Sequence, residues 1–112
     1  MKHTLVALTL SAVLTTPAWS EYINNKQAWD NLSPAIQYGY AMGAYDEMFR
    51  LFQDDSETVR RSKLRIDRCV YDAQLSSADL ADLINTTYRN DISIWKLPPS
   101  VVLTMAVFKY CG

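Results

Sequence analysis

Apolar and aromatic side chains recur at helical spacing in the first half of the chain. Five of them follow one another at steps of four, three, four and three: Tyr38, Met42, Tyr45, Phe49 and Phe52. This period places them on one stripe of an α-helix, which we expect to face the core. Ser33 and Pro34 precede the stripe and predict the helix start, because serine caps free amide groups and proline there gives up an N–H without a partner.

Two glycines lie on the adjoining face of this helix, Gly39 and Gly43, next to Ile36 and Tyr40. Each glycine costs about 1 kcal/mol relative to alanine in a helix, so a packing reason is expected. We favour a close crossing with another helix of the same domain. A surface that receives a partner is the alternative.

Charged side chains dominate from Gln53 to Arg68, where the apolar period weakens. Acidic residues come first and five cations follow: Asp54, Asp55, Glu57, Arg60, Arg61, Lys63, Arg65 and Arg68. The pattern favours a solvated connector with about one helical turn. Contact of the cations with an anionic surface is the alternative, but the acidic run beside them argues against nucleic acid.

Two helix-start devices share one register at residues 75–80. Ser76 can cap the amide of Asp79 while the Asp79 carboxylate reaches back, and Leu75 can pack on Leu80 as a hydrophobic staple. The helix that follows is predicted to end at Asn90–Asp91. Its apolar face comprises Leu80, Leu83, Ile84, Thr87 and Tyr88.

The run from Val101 to Tyr110 is mostly apolar, with Thr104 and Lys109 as its only polar interruptions before Tyr110. Most of its circumference should therefore be buried. Pro98-Pro99 before the run favours a helix, although its valines and aromatics would also suit a central strand. We favour the helix, because the chain offers no second convincing strand to pair with it.

Residues 1–20 have the three parts of an export signal. Lys2 is the positive start, Leu5 to Leu14 the short apolar core, and Ala18-Trp19-Ser20 a cleavage box with small residues at its first and last positions. Because the apolar core is too short to span a bilayer, we expect cleavage after Ser20. The remaining residues, 21–112, are predicted to form one domain. The polar segment 21–31 is predicted to be an exposed leader whose aromatic side chains can dock on the domain.

Cys69 and Cys111 are the two cysteines of the chain. Export leads to an oxidising compartment, where a disulfide between them is the expected state. A reactive or metal-binding thiol pair is the alternative, but it lacks C-x-x-C spacing and a nearby histidine. We therefore predict an all-α domain, a small bundle of three to five helices stapled by one disulfide.

The composition offers little for catalysis. The single histidine, His3, lies in the signal peptide, so the exported chain has no imidazole for a nucleophile or a metal. Cleavage leaves ten of the 11 lysines and arginines against 12 aspartates and glutamates, which gives no attraction to nucleic acid. Neighbouring carboxylates such as Asp46 and Glu47 fall on faces expected to be solvated. We predict no enzyme, no cofactor and no metal site.

Aromatic side chains are abundant outside or at the edge of the predicted core stripes: Tyr22, Trp29, Tyr40, Tyr71, Tyr88 and Trp95. Tyrosine and tryptophan are enriched at protein interfaces. In a small domain they can equally pack in the core. The pattern fits a binding module better than an enzyme.

Several motifs follow one another in a characteristic order. They are Gly39, Tyr40, Gly43 and Asp46 within Tyr38–Asp46, then Cys69, Leu75–Leu80, Pro98-Pro99-Ser100 and a final Tyr110-Cys111. In this order the chain resembles the periplasmic immunity proteins of type VI secretion systems, in the Rap and Tai group. It departs from that group in its charged connector and in lacking a proline just before the last cysteine.

The resemblance implies a periplasmic protein that binds and neutralises a secreted toxin, often a peptidoglycan-cleaving amidase, by blocking its active site. It also implies that homodimers can form. Such proteins tend to insert a loop, and the connector from Gln53 to Arg68 is the longest candidate, with Asp54, Asp55 and Glu57 as the residues that would enter the toxin. Solvated charges are the alternative explanation of these three residues.

Two other functions stay open. A small acid-activated periplasmic chaperone has a similar size and one disulfide, but its first cysteine precedes the main helices, whereas Cys69 follows the first predicted helix. A structural protein of the envelope without catalytic activity is the other alternative.

Overall fold

A computed structural model describes residues 23–112, so the predicted signal peptide lies outside the described residues. This part of the chain forms five α-helices and a short 3-10 turn, with no strand. The elements are α1 (Lys26–Asp30), α2 (Pro34–Phe49), α3 (Glu57–Asp72), α4 (Ser77–Asn90), the 3-10 turn (Ile92–Ile94) and α5 (Pro99–Cys111). The predicted all-α bundle is confirmed.

The centre of the bundle is formed by α2, α4 and α5, which pack against one another, while α3 lies against α5 and α2. All five helices contribute fully buried side chains to the core. They include Trp29, Ala41, Ile66, Leu80, Ile84, Tyr88, Val102, Leu103 and Val107. The buried tyrosine keeps its hydroxyl satisfied, because Tyr88 Oη donates to the backbone oxygen of Leu97 at 2.6 Å. None of the helices within residues 23–112 is long and apolar enough to cross a membrane.

The predicted leader, described from residue 23 to residue 31, packs on the bundle. Docking of its aromatic side chain Trp29 is confirmed, but the segment is not exposed throughout. Ile23 is buried, and Trp29 in α1 is fully buried with its indole N–H donating to the side-chain oxygen of Asn85 at 2.7 Å. Asn25 caps the helix by accepting from the Ala28 amide at 2.8 Å. An indole ring removes a large apolar area from water once its N–H has a partner, which explains why this segment packs on the bundle.

Serine caps begin three of the helices. Ser33 starts α2 as predicted, with its hydroxyl accepting from the Ile36 amide. The capping box of α4 is also present, because the Ser76 hydroxyl accepts from the Asp79 amide at 3.2 Å and the Asp79 carboxylate accepts from the Ser76 amide at 2.9 Å. The predicted start of α4 and its end at Asn90 are confirmed.

The predicted core stripe of α2 holds only in its middle. Tyr45 and Phe49 are buried and Met42 is partly buried, but Tyr38 and Phe52 are exposed. Phe52 leaves the stripe because α2 ends at Phe49 and the chain turns away. Tyr38 lies in the first turns of the helix, ahead of the part that the neighbouring helices cover.

Most of the predicted connector is a helix. The expectation of about one helical turn is wrong, since α3 spans 16 residues and begins with the Ser56 hydroxyl accepting from the Val59 amide at 3.2 Å. Ile66 and Val70 provide its buried positions. The sequence did not indicate this helix clearly, because charged side chains occupy the rest of its circumference.

The last element is a helix, and the strand alternative is excluded. Cys69 near the end of α3 and Cys111 at the end of α5 are joined by the predicted disulfide, with their Cα atoms 5.9 Å apart. The inner face of α5 is buried through Val102, Leu103, Ala106 and Val107. Its outer face is exposed, so the expectation that most of the circumference is buried is wrong.

Candidate functional site

Residues 23–112 contain no polar or charged side chain that is buried. Within the same residues, no group of three or more histidine, cysteine, aspartate or glutamate side chains could hold a metal ion. The neighbouring carboxylates Asp46 and Glu47 are exposed, and Glu47 pairs with Arg50. The candidate residues lie on the surface of the protein.

The segment between α2 and α3, residues 50–56, is tied to α3 by one lysine. Lys63 Nζ donates to the backbone oxygen of Arg50 at 2.8 Å and to Asp55 Oδ2 at 3.0 Å. The same carboxylate oxygen accepts from the Phe52 amide at 2.8 Å. The Lys63 and Asp55 side chains are largely shielded from solvent. The two lysine bonds join both ends of the loop to α3 and the third bond closes the loop on itself, so the loop has a defined shape.

Asp55 is an internal part of this loop rather than a free carboxylate. The Phe52 amide, followed by the Lys63 ammonium, holds the pKa of Asp55 below its ordinary value because both stabilise the charged form. The carboxylate is therefore ionised at neutral pH, and the bonds that shape the loop are complete there. They are lost as the pH falls through this lowered pKa.

The three predicted partner-binding residues lie at the same end of the bundle but in different surroundings. Asp54 is exposed at the loop tip. Asp55 is held by Lys63. Glu57 is the first residue of α3 and lies 3.9 Å from the Arg61 guanidinium, so it belongs to a helix rather than to the loop.

Two apolar side chains on the loop are exposed, Leu51 at 42% and Phe52 at 41%. The Phe52 ring has cations on it, with Lys63 Nζ at 4.7 Å and the Arg50 guanidinium carbon at 5.3 Å from its centroid. Sequence reasoning missed this pair, because the helical period assigned Phe52 to the core and gave no reason to single out Leu51. The loop therefore presents apolar groups as well as charge.

The glycine-bearing face of α2 is open to solvent. A Cβ atom built on Gly39 or on Gly43 would meet nothing within 4 Å. The predicted close crossing with another helix of the domain is therefore wrong. Tyr40, at the edge of this face, packs edge-on against Trp29 with ring centroids 5.6 Å apart, and Asp46 is exposed. Packing within residues 23–112 gives no reason for the two glycines.

The outer face of α5 forms an apolar ridge, by which we mean Val101, Met105 and Phe108. These residues stand at positions i, i+4 and i+7 and are 42%, 41% and 38% exposed. The only charged side chain of α5 is Lys109. The ridge was not predicted, because its own three positions are apolar and only Thr104 and Lys109 beside it are polar.

A groove runs along each side of this ridge. The first, between α4 and α5, encloses about 580 Å³ and is lined by residues such as Leu83, Thr87 and Ala106. The second lies between α5 and the facing parts of α2 and α3, encloses about 460 Å³, and has Met48 and Val59 among its walls. The ridge with its two grooves is the most apolar part of the exposed surface that we describe.

The outer face of α3 is charged, with the exposed acidic residues Glu57 and Asp72 among its arginines. Arg61, Arg65 and Arg68 are exposed there, together with Leu64 at 50% and Tyr71 at 81%. This arrangement agrees with the predicted solvated face, although it lies on a helix instead of a connector.

The chain matches no protein-family model, no curated protein and no solved structure. The resemblance to immunity proteins is therefore carried by the motifs of the sequence. Function is inferred below from those motifs and from the exposed surfaces of residues 23–112.

Proposed function

We propose that this chain is a non-catalytic periplasmic protein that binds a secreted toxin and blocks its active site. The resemblance to type VI immunity proteins implies the class of toxin, a peptidoglycan-cleaving amidase. The structural observation that supports a binding role is the loop of residues 50–56. It holds Leu51 and Phe52 in solvent on a backbone fixed by Lys63 and Asp55.

A fixed loop suits tight inhibition for an entropic reason. Ordering a flexible segment on binding costs free energy, and a segment already held in one conformation avoids much of that cost. Three hydrogen bonds fix this loop before any partner arrives. Its conformation in the free protein is then the one that enters the toxin.

The residues of the loop divide into contact and positioning roles. Phe52 and Leu51 are the apolar anchors, since a few apolar and aromatic side chains usually carry most of the binding free energy. Asp54 is an exposed carboxylate at the rim of the contact. Asp55 and Lys63 position the loop and do not touch the toxin, which revises the prediction that Asp55 enters it.

The test uses the exported enzyme encoded by the reading frame next to this gene. We expect tight one-to-one binding of the two purified proteins by calorimetry and loss of peptidoglycan cleavage by the enzyme. Phe52→Ala should weaken binding by about 30-fold or more, the effect of a binding hot spot.

Tyr71→Ala is the matched control, because Tyr71 is an exposed aromatic about 21 Å along α3 from Glu57 at 1.5 Å per residue. It should leave affinity unchanged. Lys63→Met should weaken binding less than Phe52→Ala, since it frees the loop but keeps both anchors. Unimpaired cleavage in the presence of the chain, or equal affinity for wild type and Phe52→Ala, would contradict the proposal.

A further inference from the structure

We infer that the Cys69–Cys111 disulfide controls the loop of residues 50–56 through α3, so that the loop keeps its toxin-binding shape only while the bond is formed. Reduction releases α3 from the bundle, and the loop then loses the contacts that Lys63 provides. This control is a regulation of the proposed function and rests on it.

Burial attaches α3 to the bundle less firmly than it attaches the other long helices. Ile66 and Val70 are the buried residues of α3, whereas α2 buries three residues, α4 four and α5 five. Most of the stability of a helix in a protein comes from such packing. Of the four long helices, α3 is therefore the one that the core holds least.

The first half of α3 does not close against its neighbours. The groove between α5 and the facing parts of α2 and α3 encloses about 460 Å³, and Thr58, Val59 and Ser62 of this half line it. Val59 therefore stays exposed, although apolar side chains lie on the other side of the groove. The two buried residues both lie in the second half, so that half alone docks the helix.

Two contacts in this second half add to the burial of Ile66 and Val70. The Tyr45 hydroxyl on α2 donates to Asp67 Oδ1 at 2.8 Å, but Asp67 is exposed, so water competes for its carboxylate. The disulfide lies in the same stretch, because Cys69 stands between the two buried residues. Since water cannot replace a covalent bond, we assign to the disulfide the larger share in holding α3.

Lys63 couples the position of α3 to the loop. It precedes Cys69 by about 9 Å along the helix at 1.5 Å per residue. Its ammonium donates to the backbone oxygen of Arg50, the residue that ends α2, at 2.8 Å. This bond requires α3 to lie against α2, whereas the bonds of Asp55 join the loop to α3 or to itself. Displacement of α3 therefore breaks the link to Arg50 and leaves the loop free to move relative to α2.

The switch is a two-electron thiol–disulfide exchange. A dithiol reductant breaks the Cys69–Cys111 bond, gives two electrons and two protons to the sulfurs, and leaves as a disulfide, so both cysteines become thiols. A disulfide oxidant outside the cytoplasm accepts the electrons and protons in the reverse step. Both cysteines are partly exposed, so such reagents can reach them. A chain that has not met an oxidant therefore lacks a fixed loop and acquires it on oxidation.

The test is hydrogen exchange of the exported protein, followed by NMR in the oxidised state and after reduction with a dithiol. The backbone amides of Phe52 and Asp55 are held in hydrogen bonds within the loop. Reduction should speed their exchange and that of the α3 amides by about 10-fold or more, while the amides of α4 keep their protection. Unchanged exchange in the loop and in α3, or an equal increase in α4, would overturn the inference.

Lys63→Met is the matched control, because it removes the lysine bonds of the loop and keeps the disulfide. Its oxidised form should exchange the Phe52 amide as fast as reduced wild type does. Reduction of this variant should then speed exchange in α3 without a further change at Phe52. An acceleration at Phe52 as large as that of wild type would overturn the coupling through Lys63.

Binding of the toxin separates this regulation from the proposed function. The exported enzyme encoded next to this gene should bind oxidised wild type, and should bind the double variant Cys69→Ser with Cys111→Ser about 10-fold more weakly or worse in buffer without reductant. Equal affinities would overturn the regulation and leave the proposed function intact. A double variant that is unfolded by circular dichroism would also overturn it, because the release of α3 is local. Absence of binding by oxidised wild type would overturn the proposed function, while hydrogen exchange still decides whether the disulfide controls the loop.

Discussion

Helices α4 and α5 pack against each other in the centre of the bundle but differ in what they turn to solvent. The outer face of α4 carries Asp79, Asp82 and Arg89, while its inner face is buried. The outer face of α5 carries Val101, Met105 and Phe108, chemically the same kind of residue as its inner face. The polar side chains of α4 mark its exposed face, whereas apolar side chains make up most of both the buried and the exposed faces of α5.

This difference shows what an apolar period can reveal. In α4, polar side chains mark the outside, so the sequence alone indicates which face is buried. In α5, polar side chains are few, and burial depends on how many neighbours the domain can supply. The described residues supply them for one face of α5 only, which leaves the other face exposed.

Of the changes that involve α5, breaking the disulfide should lower the free energy of unfolding most. Replacing both cysteines, Cys69→Ser with Cys111→Ser, frees the end of α5 from α3 and should lower the free energy of unfolding by about 4 kcal/mol for a closed loop of this length. Urea unfolding measures the change. Reductant should destabilise wild type to a similar extent and leave the double variant unaffected; an unchanged stability would contradict the role assigned to this bond.

The two faces of α5 should respond differently to the same truncation. Leu103→Ala empties a fully buried position and should cost about 3 kcal/mol, within the usual range for buried leucine. Met105→Ala on the ridge should cost well under 1 kcal/mol, because the Met105 side chain is partly exposed. Equal losses for the two variants would show that the two faces are not distinct.

Loss of the N-cap of α4 should lower stability more than loss of the polar side chain next to it. Ser76→Ala removes the hydroxyl that accepts from the Asp79 amide and should cost about 1 kcal/mol. Ser77→Ala, one residue later, is the control and should cost less, because no side-chain hydrogen bond of Ser77 contributes to the cap. Thermal unfolding of both variants gives the comparison, and a larger loss for Ser77→Ala would refute the cap.

Substitutions on the outer face of α2 should change stability least, and they should raise it rather than lower it. Gly39→Ala and Gly43→Ala should each stabilise the protein by about 0.5 to 1 kcal/mol, because alanine favours the helix and the added methyl group meets nothing. Chemical unfolding detects the gain. Destabilisation of the dilute protein by either substitution would indicate that another part of the chain covers this face.

The sequence predicted the helix starts that depend on residues next to them in the chain. Ser76 and Asp79 identify the start of α4, and the prolines before Val101 identify α5, because caps and prolines act on the adjacent backbone. The pairing of Cys69 with Cys111 followed from their number. The sequence also gave the central part of the α2 core, through Tyr45 and Phe49.

The features that the sequence missed depend on contacts across the fold. The loop of residues 50–56 is held in its conformation by Lys63 on the next helix, which donates hydrogen bonds to Arg50 and Asp55. No residue pattern near Phe52 predicts that α2 ends before it. The open face at Gly39 and Gly43 likewise depends on where the other helices lie, which a helical period does not specify.

Hydroxyl-radical footprinting of the purified protein, followed by mass spectrometry, tests the two faces of α5 most directly. Met105 and Phe108 should be modified while Leu103 and Val107 stay protected, because only the outer face of the helix is exposed. Modification of Leu103 to the same extent as Met105 would contradict this account.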